Sequence, residues 1–221
     1  MTSSLPIDLR GVSRSYPGTA RILDGLDLSV ESGEVVAVLG RSGTGKSTLL
    51  RIIAGLDRGY EGHAMLDGRS LKDMSDRELS RYRAESVGII FQSFHLLDHL
   101  SAGENVDLGN RFSSKENTGN TDELLRAVGL GGRGGDQPAL MSGGERQRLA
   151  IARALRSQPA VVLADEPTGN LDQETGRLVI ALLAELGRSR GVASVWVTHE
   201  ERLAAAADRV LILENGRLEQ R

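Results

Sequence analysis

An α/β fold with a mainly parallel core sheet is predicted for this chain, and three observations carry the prediction. Four apolar runs, Val35-Val36-Ala37-Val38-Leu39, Val87-Gly88-Ile89-Ile90-Phe91, Val161-Val162-Leu163-Ala164 and Ala193-Ser194-Val195-Trp196-Val197, read as strands buried on both faces. Helix-favouring stretches lie between them, the alternation that makes neighbouring strands parallel. Two segments ahead of the first run, 7–12 and 26–30, alternate apolar and polar residues and read as antiparallel strands of a separate N-terminal β lobe.

Each element has its own signal. Ser32-Gly33 makes the turn into the first buried strand, and Thr48-Leu49-Leu50-Arg51-Ile52-Ile53-Ala54 follows as a helix. Gly55, Gly59 and Gly62 punctuate a short β segment at 63–66, closed by Asp67-Gly68. Residues 75–83 read as a helix with Ser75 as N-cap and Glu78 as its capping-box partner. From Ser93 to about Ala139 the character changes to helices separated by polar loops, and 111–121, the most hydrophilic stretch, is expected to be an exposed loop. Gly131-Gly132-Arg133-Gly134-Gly135 is a further turn, and 173–188 is helical. A terminal hairpin runs from Val210 to Leu218 through an Asn215-Gly216 turn. No internal repeat or long linker interrupts the chain, so 5–221 reads as one domain, with 93–158 as a helical subdomain.

Bulk properties exclude several function classes. The net charge of −3, with both signs interspersed, argues against an electrostatically driven nucleic-acid partner and against a polybasic membrane anchor. There is no cysteine, hence no disulfide framework and no thiolate metal site. Residues 1–7 lack the basic and apolar regions of a signal peptide, and no apolar stretch approaches the ~20 residues that span a bilayer. By itself the sequence predicts a soluble, cytoplasmic protein.

The chemistry-bearing motif is Gly40-Arg41-Ser42-Gly43-Thr44-Gly45-Lys46-Ser47, between a buried strand and a helix. Its glycines let backbone N–H groups turn inward around phosphate oxygens, and the helix N-terminus adds positive partial charge. Lys46 would reach the outer phosphates and Ser47 would offer its hydroxyl to Mg²⁺. Lysine is scarce, at three residues, so a fortuitous glycine turn ending in Lys-Ser is a weak alternative. Asp165 and Glu166 end another buried strand, at the sheet edge where ligands bind in such folds. Asp165 would hold Mg²⁺ and Glu166 would orient or deprotonate an attacking water; taken alone, the pair also reads as a helix-capping turn before Pro167. Ser142-Gly143-Gly144-Glu145-Arg146-Gln147-Arg148 opens a helical run and forms a second anion-ready helix start, with a plain N-cap as the alternative.

Together these pieces resemble the nucleotide-binding subunit of an ABC transporter, in the family's order over almost the whole chain. The matching segments are Gly40 to Thr48, Phe91-Gln92 as the glutamine loop, Ser142-Gly143-Gly144-Glu145 as the signature, and Leu163-Ala164-Asp165-Glu166-Pro167 as the second nucleotide motif. Gly169-Asn170-Leu171-Asp172 matches the dimer-contact loop and Thr198-His199 the switch histidine. The resemblance implies the P-loop NTPase fold of ABC ATPases, ATP and Mg²⁺ as cofactors, and ATP held along Gly40, Arg41, Ser42, Gly43, Thr44, Gly45, Lys46, Ser47 and Thr48. It implies that Tyr16 stacks on adenine, although a partly buried strand aromatic reads almost as well there. Gln92 would touch the metal or the lytic water, and His199 the γ-phosphate. Ser142 and Gly144 would close over the ATP of a second copy, so that two chains sandwich two nucleotides. Met141 stands where leucine is usual before the signature, an apolar swap of similar volume.

Finer matches, Val87 to Leu97 and Ala102-Gly103-Glu104-Asn105-Val106, are similar to the lipoprotein-release and macrolide-export ATPases. That branch implies an integral membrane permease partner and a peripheral position at the cytoplasmic face of the cell membrane, while the charge balance already leads us to expect no nucleic acid. The chain also stops soon after the hairpin, where many importer ATPases carry a regulatory domain. One alternative is a regulatory ATPase of the cell-division type that moves no substrate. Another is a soluble ABC protein of translation or DNA repair, which the single cassette disfavours.

Overall fold

The computed structural model describes residues 5–18, 20–112 and 120–221. Two sheets organise it. The N-terminal lobe is a four-stranded antiparallel sheet of order β2-β1-β4-β5, made of β1 (Ile7–Ser15), β2 (Arg21–Val30), β4 (Glu61–Leu66) and β5 (Arg69–Ser70). The core sheet has six strands in the order β10-β9-β3-β8-β7-β6. They are β10 (Arg217–Gln220), β9 (Arg209–Glu214), β3 (Val35–Leu39), β8 (Ala193–Thr198), β7 (Val161–Asp165) and β6 (Val87–Phe91). All neighbours are parallel except the terminal β9–β10 hairpin.

The helices are α1 (Lys46–Ile53), α2 (Asp76–Ser86), α3 (Ala102–Leu108), α4 (Thr121–Ala127), α5 (Gly143–Leu155), α6 (Gln173–Ser189) and α7 (Glu201–Ala204), with one 3₁₀ turn at Pro138–Leu140. Both faces of the core sheet are covered, which is why β3 and β8 are apolar without alternation. Successive residues of one strand feed opposite cores: Val36 and Val38 pack with the β lobe and α1, whereas Val35, Val162 and Trp196 pack with α3 to α6.

The helix starts follow their sequence signals. Ser75 accepts from the Glu78 N–H while Glu78 reaches back to the Ser75 N–H at 2.8 Å, the predicted capping box. Ser101 with Glu104 and Ser142 with Glu145 repeat the device. Three boundaries differ from the sequence expectation. β2 begins at Arg21 rather than 26, because Asp24 and Gly25 break the alternation while the ladder with β1 continues across bulges. α1 begins at Lys46, so the last residues of the phosphate-loop motif already belong to the helix. α4 begins at Thr121, inside the segment 111–121 expected to be loop; of that segment, 113–119 lie outside the described residues.

Contacts from the terminal hairpin join the lobes behind the phosphate loop. The Asp24 N–H donates to the Gly216 carbonyl at 2.8 Å, and Arg217 pairs with the Asp24 carboxylate at 3.0 Å. The terminal hairpin thus stitches β2 to the core sheet. Among the described residues no helix is long and apolar enough to cross a membrane.

Candidate functional site

The loop between β3 and α1 is shaped by glycine. Gly43 and Gly45 take φ of +83° and +105°, and a Cβ on Gly45 would lie 2.8 Å from Ile22 Cγ2. The start of α1 carries no side-chain cap and no acidic residue in its first turn, which leaves its donors open to an anion. Lys46 is buried at 8% exposure. Its Nζ donates to the carbonyls of Gly40 at 2.6 Å and Arg41 at 3.2 Å, and lies 3.6 Å from Glu166 Oε1. The lysine is therefore folded back on its own loop, where a phosphate would offer it stronger, charged acceptors.

Opposite the loop stand the ends of β7 and β8. Asp165 is the last residue of β7, and its Oδ2 accepts the Ser47 hydroxyl at 3.0 Å. Burial pushes the Asp165 carboxyl above its usual range, and the Glu166 charge adds to this, against the Ser47 hydrogen bond. Glu166 has φ +46°, a left-handed conformation that costs a non-glycine residue about 1–3 kcal/mol. Its carboxylate accepts from Thr198 Oγ1 at 3.0 Å and contacts His199 Nδ1 at 3.0 Å, while its N–H donates to the Val197 carbonyl at 2.9 Å. Strand order alone brings these groups together, since β8 lies between β3 and β7 in the parallel sheet.

Gln92 follows β6 and faces the same space. Asn170 Nδ2 donates to the Gln92 carbonyl at 2.8 Å, and a Cβ on Gly169 would meet the Gln92 amide at 2.7 Å. The resulting cavity, about 810 Å³, is lined by Ser42, Gly43, Gly45, Lys46, Ser47, Thr48, Gln92, Asp165, Glu166 and His199, together with Ile22, Phe91, Ser93 and His95. Gly40, Arg41 and Thr44 belong to the loop but not to this lining. The first two spend their carbonyls on Lys46, and the Thr44 hydroxyl donates to the Arg41 carbonyl at 3.0 Å. Among the described residues no group of three or more His, Asp or Glu could hold a metal unaided.

Three further residues expected to bind nucleotide stand outside the lining. Tyr16 lies just past the end of β1, with the Arg14 guanidinium 4.3 Å from its ring centroid and its hydroxyl donating to Asp57 at 2.8 Å. Burial opposes ionisation of Asp57, yet the Gly59 N–H, Arg14 and Tyr16 together hold its carboxyl below the usual range. Ser142 is exposed at the start of α5, and its side chain already accepts the Glu145 N–H, while Glu145 also pairs with Arg133. Gly144 is buried, and a Cβ there would lie 2.3 Å from Thr175 Cγ2. Its glycine is demanded first by the packing of α5 on α6. Met141 is buried, as an apolar stand-in for leucine should be.

Sequence reasoning missed His95 in the lining and Asn170 as the partner of the Gln92 segment. His95 carries no motif signal, and Asn170 was read only within the dimer-contact loop, because its bond to the Gln92 carbonyl joins distant segments.

A family model described as ABC transporter matches residues 23–169. The chain is 47% identical over 202 residues to an uncharacterized ABC transporter ATP-binding protein, YbbA, of Escherichia coli (strain K12), covering 90% of this chain and 89% of that one. It is 42% identical over 224 residues to the lipoprotein-releasing system ATP-binding protein LolD of Chromohalobacter salexigens, covering 99% and 94%. Among solved structures it resembles the ATP-binding cassette MJ0796 in a dimeric post-hydrolysis state bound to ADP and Pi. That match has a TM-score of 0.85 and 35% identity over 97% of both chains.

Proposed function

The chain belongs to the ABC transporter family of ATP-binding proteins, and we infer that its cavity hydrolyses ATP to drive a membrane partner in lipoprotein release or a related export. The observation that carries this reading is the convergence of Lys46, Ser47, Gln92, Asp165, Glu166 and His199 on one space. Phosphates enter over the bare start of α1, and Lys46 exchanges its loop carbonyls for the outer phosphate oxygens. Glu166, held by Thr198 and His199, takes the proton of the attacking water. His199 turns its other ring nitrogen toward the γ-phosphate, and Gln92 stands beside the water. Tyr16 offers adenine the ring face away from Arg14.

Mg²⁺ suits the donors at hand. A serine hydroxyl and a carboxylate, Ser47 and Asp165, are hard oxygen ligands, and Gln92 lines the same cavity. They are too few for an all-protein cage, so phosphate and water oxygens complete the set, and the cation supplies charge neutralisation on the phosphates. A cation held there would also offset the charge that burial and Glu166 make costly on Asp165.

Ser142, Gly143 and Gly144 lie away from their own chain's cavity and serve the ATP of a second copy, which yields a C₂ sandwich that opens once hydrolysis removes the shared γ-phosphate. The relatives named for lipoprotein release direct the membrane reading. Accordingly we place the chain on the cytoplasmic face of the membrane, bound to an integral permease subunit. The test is recovery of the protein from gently solubilised native membranes. A stoichiometric partner with few membrane spans and a large outer domain supports the reading. A many-span importer subunit overturns the branch, and no membrane partner overturns the transport role.

A further inference from the structure

The segment after Gln92 is backbone-strained. Phe94 and His95 take successive left-handed conformations, with φ of +59° and +50°, which non-glycine residues rarely adopt in a run. Helix α5 holds the turn. Arg153 Nη2 donates to the Phe94 carbonyl at 2.7 Å, and its Nη1 donates to the His95 carbonyl. Arg146, two turns earlier on the same helix, sets its guanidinium 5.2 Å from the Phe94 ring centroid. The His95 ring stacks on Phe91, the strand residue just before Gln92, at 4.6 Å.

Arg153 is costly where it sits. Burial pulls its pKa down, and among the described residues no carboxylate pairs with it. A desolvated guanidinium spent on two main-chain carbonyls secures those carbonyls. His95 lines the phosphate cavity and also a second groove of about 370 Å³, between α2, β6 and α5, which Arg153 lines as well. The strained turn is thus the wall between the two spaces.

We propose that Arg153 is a positioning residue for ATP hydrolysis: it holds the Phe94–His95 turn in its left-handed form and so fixes where Gln92 enters the cavity. The same contact ties that loop to the helix that begins at Ser142, ~16 Å away at 1.5 Å per residue. This rests on the role of Gln92 given above, and adds the residue that sets its register.

The experiment compares Arg153→Met, Arg153→Lys, His95→Gly and the pair Arg153→Met/His95→Gly, each assayed for kcat, ATP dissociation constant and thermal midpoint. Arg153→Met is expected to lower kcat about tenfold, the scale of a modest misplacement of a reacting group, with ATP affinity changed less than about twofold. Arg153→Lys, which can serve one carbonyl, falls between. Because glycine adopts φ near +50° unaided, His95→Gly recovers most of the rate lost in Arg153→Met. Wild-type kcat in Arg153→Met overturns the proposal, as does a loss that follows the thermal midpoint and is not recovered by glycine. If Arg153→Met does not fold, Arg153→Lys with and without His95→Gly makes the same comparison. Failure of the underlying reading shows separately, as unchanged nucleotide affinity in Lys46→Ala.

Discussion

Helices α1 and α5 both begin beside glycine, and they are finished in opposite ways. α1 opens from Gly45 in a left-handed conformation, with no side-chain cap, no acidic residue in its first turn and a buried lysine as its first residue. α5 opens from a serine in a capping box, with Glu145 in its first turn and Arg133 on that carboxylate. Both ends carry the positive pole of a helix dipole. One is left bare inside its own chain's cavity; the other is self-capped and exposed. The first is built to take a polyanion directly. The second is stable without one and, as we propose, adds its remaining donors when a second copy brings an anion to it.

Breaking the α1 side has the largest consequences. Glu166→Gln keeps the shape of the site but removes the base we propose, and a steady-state assay should show hydrolysis lower by roughly 10²–10⁴-fold. Normal turnover in that variant would take Glu166 out of the mechanism. Lys46→Ala removes the charge-assisted phosphate contact we propose and should weaken ATP binding by ~10–100-fold, measured by calorimetry.

On the α5 side the expected effects are smaller and pass through packing. Gly144→Ala forces a methyl group into Thr175 and should cost about 1–3 kcal/mol in denaturant unfolding. Thr175→Ser removes the obstructing Cγ2, so the double variant should regain both stability and hydrolysis. Stability without hydrolysis in that pair would mean that the second copy's nucleotide comes too near Gly144 to admit a side chain. Tyr16→Ala is the mildest change, with at most about a tenfold loss of ATP affinity, the worth of one aromatic stack.

What the sequence made legible was local. Buried runs, the capping box at Ser75 and the Gly-Lys-Ser loop each announce themselves within a few residues, and all stand where the reading put them. β2 was half legible, because Asp24 and Gly25 interrupt the alternation of its first half, which ladder bonds to β1 hold in the strand. The site motifs were legible as motifs, but not how they are spent in the chain alone. Lys46 turns back onto Gly40 within its own loop, which only the folded backbone reveals, whereas Glu166 held by Thr198 and His199 and Gly144 packed on Thr175 are contacts between segments far apart in sequence. The strained Phe94–His95 turn was invisible for the same reason, since Arg153 lies 58 residues beyond His95.

The most direct test of the account is the solution mass of Glu166→Gln with and without ATP, by light scattering. The account predicts the mass of one chain without nucleotide, two chains with saturating ATP, and one chain again with ATP when Ser142→Arg is added. A variant that remains a single chain in saturating ATP, or a dimer indifferent to Ser142→Arg, would contradict the claim that one copy's exposed helix completes the other copy's cavity.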